Sequence, residues 1–304
     1  MSLGNVFLFP GQGAQYLGMG KSLSDRMPAA RSLFDRAREV LGFDLLELCA
    51  NGPIERLNST DISQPAIFVA SLAALEDLKS TQPETVSGAQ SAAGLSLGEY
   101  TALAFAGVFG FEEGLGLVKI RGDAMQQAAV ATPSTMSSIL LLDREKLQAI
   151  CQEVSSLHGP VSIANFLCPG NLVVSGLIPA VAAVEVAAQA AGAKTIRLAV
   201  AGAFHTGAMA SAVDRLKSHM AGMKFHPARI PVWSNVTGKP HDADPDNIPD
   251  LLARQVVEPV LWEDLMQGIL AGGDNRFFEV GPGKVLAGLL KRIQRKAECL
   301  SVPA

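Results

Sequence analysis

The string Gly94-Leu95-Ser96-Leu97-Gly98-Glu99-Tyr100 leaves the backbone few paths. A Gly-x-Ser-x-Gly run followed by Tyr100, Leu103, Ala104 and Val108, apolar at a spacing of about 3.6 residues, predicts a strand that turns sharply into a helix. The flanking glycines are read as the residues that permit the turn, which leaves the Ser96 hydroxyl on a strained corner at a helix N-terminus. Unpaired amides and the helix dipole favour negative charge there, the setting that an oxyanion beside the serine requires. The preceding stretch, Val86 to Ala93, is poor in β-branched residues, yet the corner demands a strand within it.

Apolar material for a sizeable core is present: 48% of the 304 residues are hydrophobic and 18% charged. Such a chain fits one sizeable core, or a large domain with a smaller one inserted. The net charge of -4 and a pI near 5.8 exclude affinity built on massed Lys and Arg, so no nucleic-acid partner is expected. No apolar run approaches a membrane span, and Met1-Ser2-Leu3-Gly4-Asn5 carries no basic signal region. No membrane contact is therefore expected, and the expected location is cytoplasmic, or an organelle after removal of a transit peptide. Cys49, Cys151, Cys168 and Cys299 are dispersed without metal-ligand spacing and read as reduced thiols. Neither a metal nor a cofactor is implied.

Along the chain, Asn5 to Phe9 is a short apolar run stopped by Pro10 and the loop Gly11-Gln12-Gly13-Ala14-Gln15, as in a buried parallel strand that ends at a ligand site. Ser22 to Leu57 and Ile62 to Leu78 have helical periodicity, as do residues 111–130, where Arg121 is embedded among apolar neighbours. From Thr132 the texture changes. Strands at 136–142, 161–165, 172–175 and 194–200 alternate with helices at 143–154 and 179–192 in the β-α-β-β-α-β order of a ferredoxin-like unit. Helices at 208–223, 250–256 and 262–271, strands at 230–233 and 276–280, and a final helix at 284–296 follow. The predicted fold class is α/β, with a large subdomain on a parallel sheet (1–131 and 201–304) and an inserted small ferredoxin-like subdomain (132–200).

Among the five histidines, His205 stands in the loop Gly202-Ala203-Phe204-His205-Thr206 just after a strand, whereas His158, His219, His226 and His241 are read as polar or helical surface residues. A serine hydroxyl needs a base within hydrogen-bond reach, and His205 is the candidate.

Five stretches then resemble one family in order and spacing: Gly11-Gln12-Gly13-Ala14-Gln15, Gly94 to Glu99, Arg121-Gly122-x-Ala124-Met125-Gln126, Gly202 to Thr206, and Gly281-Pro282-Gly283. Over nearly its whole length the chain resembles the malonyl-CoA:acyl carrier protein transacylases. The resemblance implies an α/β-hydrolase-like large subdomain beside the ferredoxin-like one, and a Ser96–His205 dyad. It also implies that a backbone carbonyl, here that of Gln255 in Gln255-Val256-Val257-Glu258-Pro259-Val260-x-Trp262, orients the histidine in place of an acid. The oxyanion hole is expected at the Leu97 amide together with Gln12. Arg121 is expected to grip the malonyl carboxylate through paired charge-assisted hydrogen bonds. Phe204 fits the malonyl-selecting form, and Asn165 matches the family's pocket asparagine. Leu95 stands where most relatives carry His, while Leu167 and Asn171 replace the usual Asn and Gln.

The implied reaction is ping-pong transfer of malonyl from coenzyme A through a Ser96 ester to the phosphopantetheine thiol of holo acyl carrier protein, in the service of fatty-acid synthesis. Coenzyme A thioester is then a substrate, and a monomer is expected. The carrier protein is acidic, and the basic cluster Lys284, Lys291, Arg292, Arg295 and Lys296 is its candidate docking patch, with Lys284, Lys291 and Arg292 the principal contacts. Two other readings use the same residues: a discrete acyltransferase serving a polyketide synthase, and a serine thioesterase or hydrolase. Against the hydrolase, ordinary α/β-hydrolases place an acid between Ser and a His near the C-terminus, whereas about a third of this chain follows His205. A carrier-protein-binding module without activity is disfavoured by the intact Ser96, His205 and Arg121.

Overall fold

The computed structural model describes residues 4–200, 202–273 and 275–304. Nine strands run in chain order: β1 (Gly4–Phe9), β2 (Ala89–Gly94), β3 (Ser134–Leu140), β4 (Val161–Cys168), β5 (Asn171–Leu177), β6 (Lys194–Arg197), β7 (Val232–Trp233), β8 (Asn275–Val280) and β9 (Cys299–Val302). They form two sheets. The first has the order β7-β2-β1-β8-β9 with every pairing parallel, and the second has the order β4-β5-β3-β6 with every pairing antiparallel. The fold is thus mixed α/β, an α/β-hydrolase-like part with a ferredoxin-like one.

Because the strands of the first sheet all point the same way, the loops that leave β1, β2, β7 and β8 open on one edge. All six residues of β1 are buried, as expected of a central parallel strand covered on both faces. The helix Thr60–Thr81 is buried on nearly every side, which matches its lack of a polar face. It packs against the helix Phe111–Ala131 closely enough that a Cβ on Gly122 would lie 2.9 Å from the Thr60 carbonyl oxygen. That close approach brings the neighbouring Arg121 inward, where it is 1% exposed.

The antiparallel sheet is covered on one face by the helices Arg144–His158 and Ile178–Ala190, with Ile139, Leu147, Ile163, Val174, Val181 and Val184 between them. On its other face Met136, Ala164 and Val173 join the main core beside Phe204. Two hydroxyls fasten the loop of His205 to this sheet: Ser175 Oγ donates to the Phe204 carbonyl, and Ser134 Oγ accepts from the Ala203 amide, both at 2.9 Å.

Several element boundaries differ from the sequence reading. The stretch 22–57 is four helices, Lys21–Arg26, Pro28–Leu41, Leu45–Asn51 and Ile54–Asn58, divided at Pro28, at Gly42 in the left-handed region (φ 78°) and at Gly52-Pro53. Val86 belongs to the short helix Pro83–Ser87, and the strand before the serine begins only at Ala89. The 230–233 strand shrinks to the two residues of β7, and the helix expected from 208 is a 3-10 turn at Gly207–Met209 followed by a helix at Ala210–Met220. Strand β9 was not anticipated, because Cys299-Leu300-Ser301-Val302 is short and lies on an edge. Position 201, where the large subdomain was expected to resume, and Met1-Ser2-Leu3 lie outside the described residues. Among the described residues no helix is long and apolar enough to cross a membrane.

Candidate active site

Ser96 joins β2 to the helix Leu97–Phe105 with φ 51° and ψ -101°, a conformation that an L-residue adopts only under constraint. The flanking glycines serve a purpose other than the one read from sequence, since neither lies at positive φ. A Cβ on Gly94 would sit 1.9 Å from the Gly98 carbonyl carbon, and one on Gly98 would sit 2.0 Å from the Phe9 carbonyl oxygen. The glycines permit close packing of strand end, helix start and the end of β1, while the serine itself takes the strained backbone.

The corner is held from several sides. The Ser96 amide donates to Asn235 Oδ1 (2.6 Å), and Asn235 Nδ2 donates back to the Gly94 carbonyl (2.8 Å). The loop after β1 lies against it, so that a Cβ on Gly11 would be 2.3 Å from the Leu95 carbonyl oxygen. Gln12 therefore follows directly on a contact with the corner, and its side chain reaches Thr60 Oγ1 at 3.4 Å. Leu97 is the first residue of its helix, and the amides of a first turn have no carbonyl within the helix to bond.

Three predicted residues converge on one hydroxyl. Ser96 Oγ lies 2.9 Å from His205 Nε2 and accepts a hydrogen bond from Arg121 Nη2, also at 2.9 Å. His205 Nδ1 lies 2.7 Å from the Gln255 carbonyl oxygen. Since a carbonyl only accepts, Nδ1 carries the proton and Nε2 is left free to take one from Ser96. His205 is 4% exposed and has φ 60°, so both members of this pair stand in left-handed backbone. Burial, and after it the charge of Arg121, push the His205 imidazole down to about 4, against hydrogen bonds to the backbone of Gln255 and Glu258 that raise it.

Arg121 is gripped by amides. Its Nη1 donates to Gln64 Oε1 (2.7 Å), its Nη2 donates also to Gln255 Oε1 (2.9 Å), and its Nε is buried without a hydrogen-bond partner. The guanidinium carbon lies 5.0 Å from the Tyr100 ring centroid, within cation–π range. Burial lowers the Arg121 pKa from its ordinary value.

Gln255 does more than its backbone was expected to do. Its carbonyl takes the histidine, its side-chain oxygen takes Arg121, and its Nε2 donates to the Ser96 carbonyl (3.0 Å) and to Glu99 Oε2 (2.6 Å). Sequence reasoning passed over Gln64, Glu99 and Asn235. Asn235 follows the end of β7, where a parallel sheet offers its ligand sites, and Gln64 is a polar side chain next to the apolar run 65–70 of its helix; both were available as signals. His241 was misread as a surface residue. Its side chain is 2% exposed and its Nε2 meets Glu99 Oε1 at 2.7 Å.

The remaining predicted residues sit outside this hydrogen-bond network. Phe204 is buried in the main core. Asn165 is 8% exposed at an irregularity of β4, where Val260 forms an isolated parallel bridge to it. Leu95 is half-buried against the cluster that contains Trp262 and Leu286. Lys284, just before the last helix, Val285–Ile293, and Lys291 and Arg292 in its last turn are exposed, and Arg292 Nη2 reaches the Pro169 carbonyl at 3.2 Å.

The acyl transferase domain family model matches residues 6–303. The mitochondrial malonyl-CoA-acyl carrier protein transacylase of Mus musculus is 41% identical, with 96% of this chain and 80% of that protein covered. The malonyl CoA-acyl carrier protein transacylase of Bacillus subtilis is 38% identical over 98% of this chain and 92% of its own. The crystal structure of an acyl-carrier-protein-S-malonyltransferase from Bartonella henselae superposes with a TM-score of 0.94 at 35% identity, covering 99% and 95% of the two chains. In sequence over nearly its full length, and in fold, this chain belongs to the acyltransferase family of malonyl-CoA:acyl carrier protein transacylases.

Proposed function

We propose that this enzyme transfers malonyl from malonyl-CoA to the phosphopantetheine thiol of acyl carrier protein by way of a malonyl ester on Ser96. The observation that carries the reading is the Ser96 hydroxyl shared between His205 Nε2 and the buried Arg121 guanidinium: a nucleophile, its base and a cation for a carboxylate within one cluster.

In the first half-reaction His205 Nε2 takes the Ser96 proton as Oγ attacks the thioester carbonyl. Negative charge develops on the carbonyl oxygen, and the Leu97 amide with the Gln12 amide receives it. Loss of one such donor typically costs about a hundred- to a thousandfold in rate. The tetrahedral adduct collapses, the C–S bond breaks, and His205 returns the proton to the departing thiolate of coenzyme A. In the second half-reaction the carrier thiol gives its proton to His205 and attacks the Ser96 ester. The C–O bond breaks and Ser96 regains its proton. Arg121 pairs with the malonyl carboxylate, Phe204 and Asn165 bound the acyl pocket with Leu95, and Gln255 fixes the histidine. The exposed cations Lys284, Lys291 and Arg292 offer an acidic carrier protein a docking face. Fatty-acid synthesis, in the cytoplasm or an organelle and by a monomer, is the setting this reading adopts.

The direct test is intact-protein mass spectrometry after brief exposure to malonyl-CoA, then to holo acyl carrier protein. The expected result is a single malonyl adduct on Ser96 that carrier protein discharges. An adduct that water removes as fast as carrier protein does would instead identify a hydrolase.

The depressed His205 pKa gives a second expectation. The rate of Ser96 malonylation should stay level from neutral pH to about 5 and reach half its value near about 4, where the buried base becomes protonated. A half-point near the ordinary histidine value of about 6.5 would contradict a buried base. Stability has the same sign: between about 4 and 6.5 the unfolded chain holds a proton here that the folded chain lacks. The contribution of His205 to folding is complete above that window and declines as pH falls through it.

A further inference from the structure

Glu99 takes no part in the chemistry derived above, yet it is fully buried and three donors converge on its carboxylate: Gln255 Nε2 (2.6 Å), the Asn235 backbone amide (3.1 Å) and His241 Nε2 (2.7 Å). An ordinary structural account exists, since Glu99 lies in the first turn of the helix Leu97–Phe105, where a negative charge complements the helix dipole. That account explains the charge but leaves unexplained why the carboxylate is engaged by a side chain that also holds Arg121.

The Gln255 amide has an acceptor-only group at one end and a donor-only group at the other. A carboxylate accepts, so the NH2 of Gln255 must face Glu99; a guanidinium donates, so its oxygen must face Arg121. The amide is thereby fixed in one of its two orientations, and it links a buried anion to a buried cation that makes no ion pair among the described residues. A cation buried without a countercharge is costly, and Glu99 is placed to offset that cost one amide away. His241 holds the other carboxylate oxygen, Oε1, while the Asn235 backbone amide shares Oε2 with Gln255, and the Asn235 side chain also fixes the serine corner.

Building on the transacylase reading, we propose that Glu99 is a positioning residue for acyl-group selectivity: through the Gln255 amide its carboxylate orients and balances the Arg121 guanidinium that receives the substrate carboxylate. His241 is its anchor. A helix-stabilising role alone would affect every acyl group alike, whereas a role through Arg121 concerns only substrates that carry a carboxylate.

The experiment measures acylation of Ser96 by malonyl-CoA and by acetyl-CoA in the unaltered enzyme, Glu99→Gln, Arg121→Ala and the double variant, with a thermal melt of each. Glu99→Gln is expected to lower the malonyl-to-acetyl ratio about tenfold, and to change that ratio no further once Arg121 is absent. An equal loss with both acyl groups, or losses that simply add in the double variant, would overturn the proposal in favour of the helix-end role. Should Glu99→Gln fail to fold, His241→Asn carries the same test, with the ratio expected to fall in the same direction and to be insensitive to the change in the Arg121→Ala background. If the unaltered enzyme itself forms no malonyl-Ser96, the transacylase reading fails, and that outcome is separate from the behaviour of any variant.

Discussion

Replacing Ser96 by alanine is expected to abolish malonyl transfer and to leave no acyl adduct on the protein. The hydroxyl lies at hydrogen-bond distance from His205 Nε2, so its removal leaves that nitrogen without the group it is placed to deprotonate. Loss of a serine nucleophile in a comparable machinery lowers the rate by about a millionfold. The change is small structurally. Alanine carries the same Cβ into the same left-handed corner, whose geometry is set by Gly94, Gly98 and Asn235, and Arg121 Nη2 keeps its bond to Gln255 Oε1. The melting temperature should therefore move little while activity disappears. Adduct formation that persists in Ser96→Ala would relocate the nucleophile and dismantle the assignment.

Arg121→Ala is expected to reduce malonylation of Ser96 by about a hundredfold or more while acetylation falls far less, so that the preference between the two thioesters collapses. Truncation removes the cation that would receive a carboxylate and deprives Gln64 Oε1 and Gln255 Oε1 of their donor. Each buried acceptor left without a partner costs about 1–3 kcal/mol, so some loss of stability accompanies the loss of selectivity. Measuring both thioesters separates the two effects, because unfolding lowers both rates together. A variant with an unchanged malonyl-to-acetyl ratio would remove Arg121 from the carboxylate site.

The residues that could be found from sequence were those whose role shows locally. Ser96 stands between glycines at a change of periodicity, His205 follows a strand, and Arg121 interrupts an apolar helix face. The hydrogen-bond partners of these three lie far along the chain and have ordinary local settings. Glu99 looks like a favourable first-turn acid, and His241 lies in a polar run, Lys239-Pro240-His241-Asp242, that gives no hint of burial. Only the pairing of β2 with β7 brings the loop beyond Trp233 against the serine corner. The same reason explains β2. By propensity Ala89 to Gly94 is a poor strand, but small residues are what fit between β1 and β7 beneath the corner, and packing outweighs intrinsic preference. The glycines of the motif were located correctly and explained wrongly: the crowding at Gly98 comes from Phe9, which the local string does not contain, and that at Gly94 from Gly98 itself once strand and helix fold against each other.

Gln255 joins the serine, the histidine and the arginine, and Asn235 joins the serine corner to Glu99. Loops at the edge of a parallel sheet are commonly interchangeable parts, free to lengthen or be exchanged between relatives without harm to their neighbours. Here the serine corner, the loop after β7 and the end of the helix Ile248–Gln255 share their hydrogen bonds, so an insertion in one displaces the others. A change of substrate in this enzyme is accordingly expected to be reached more readily by point substitution than by grafting a loop from a relative.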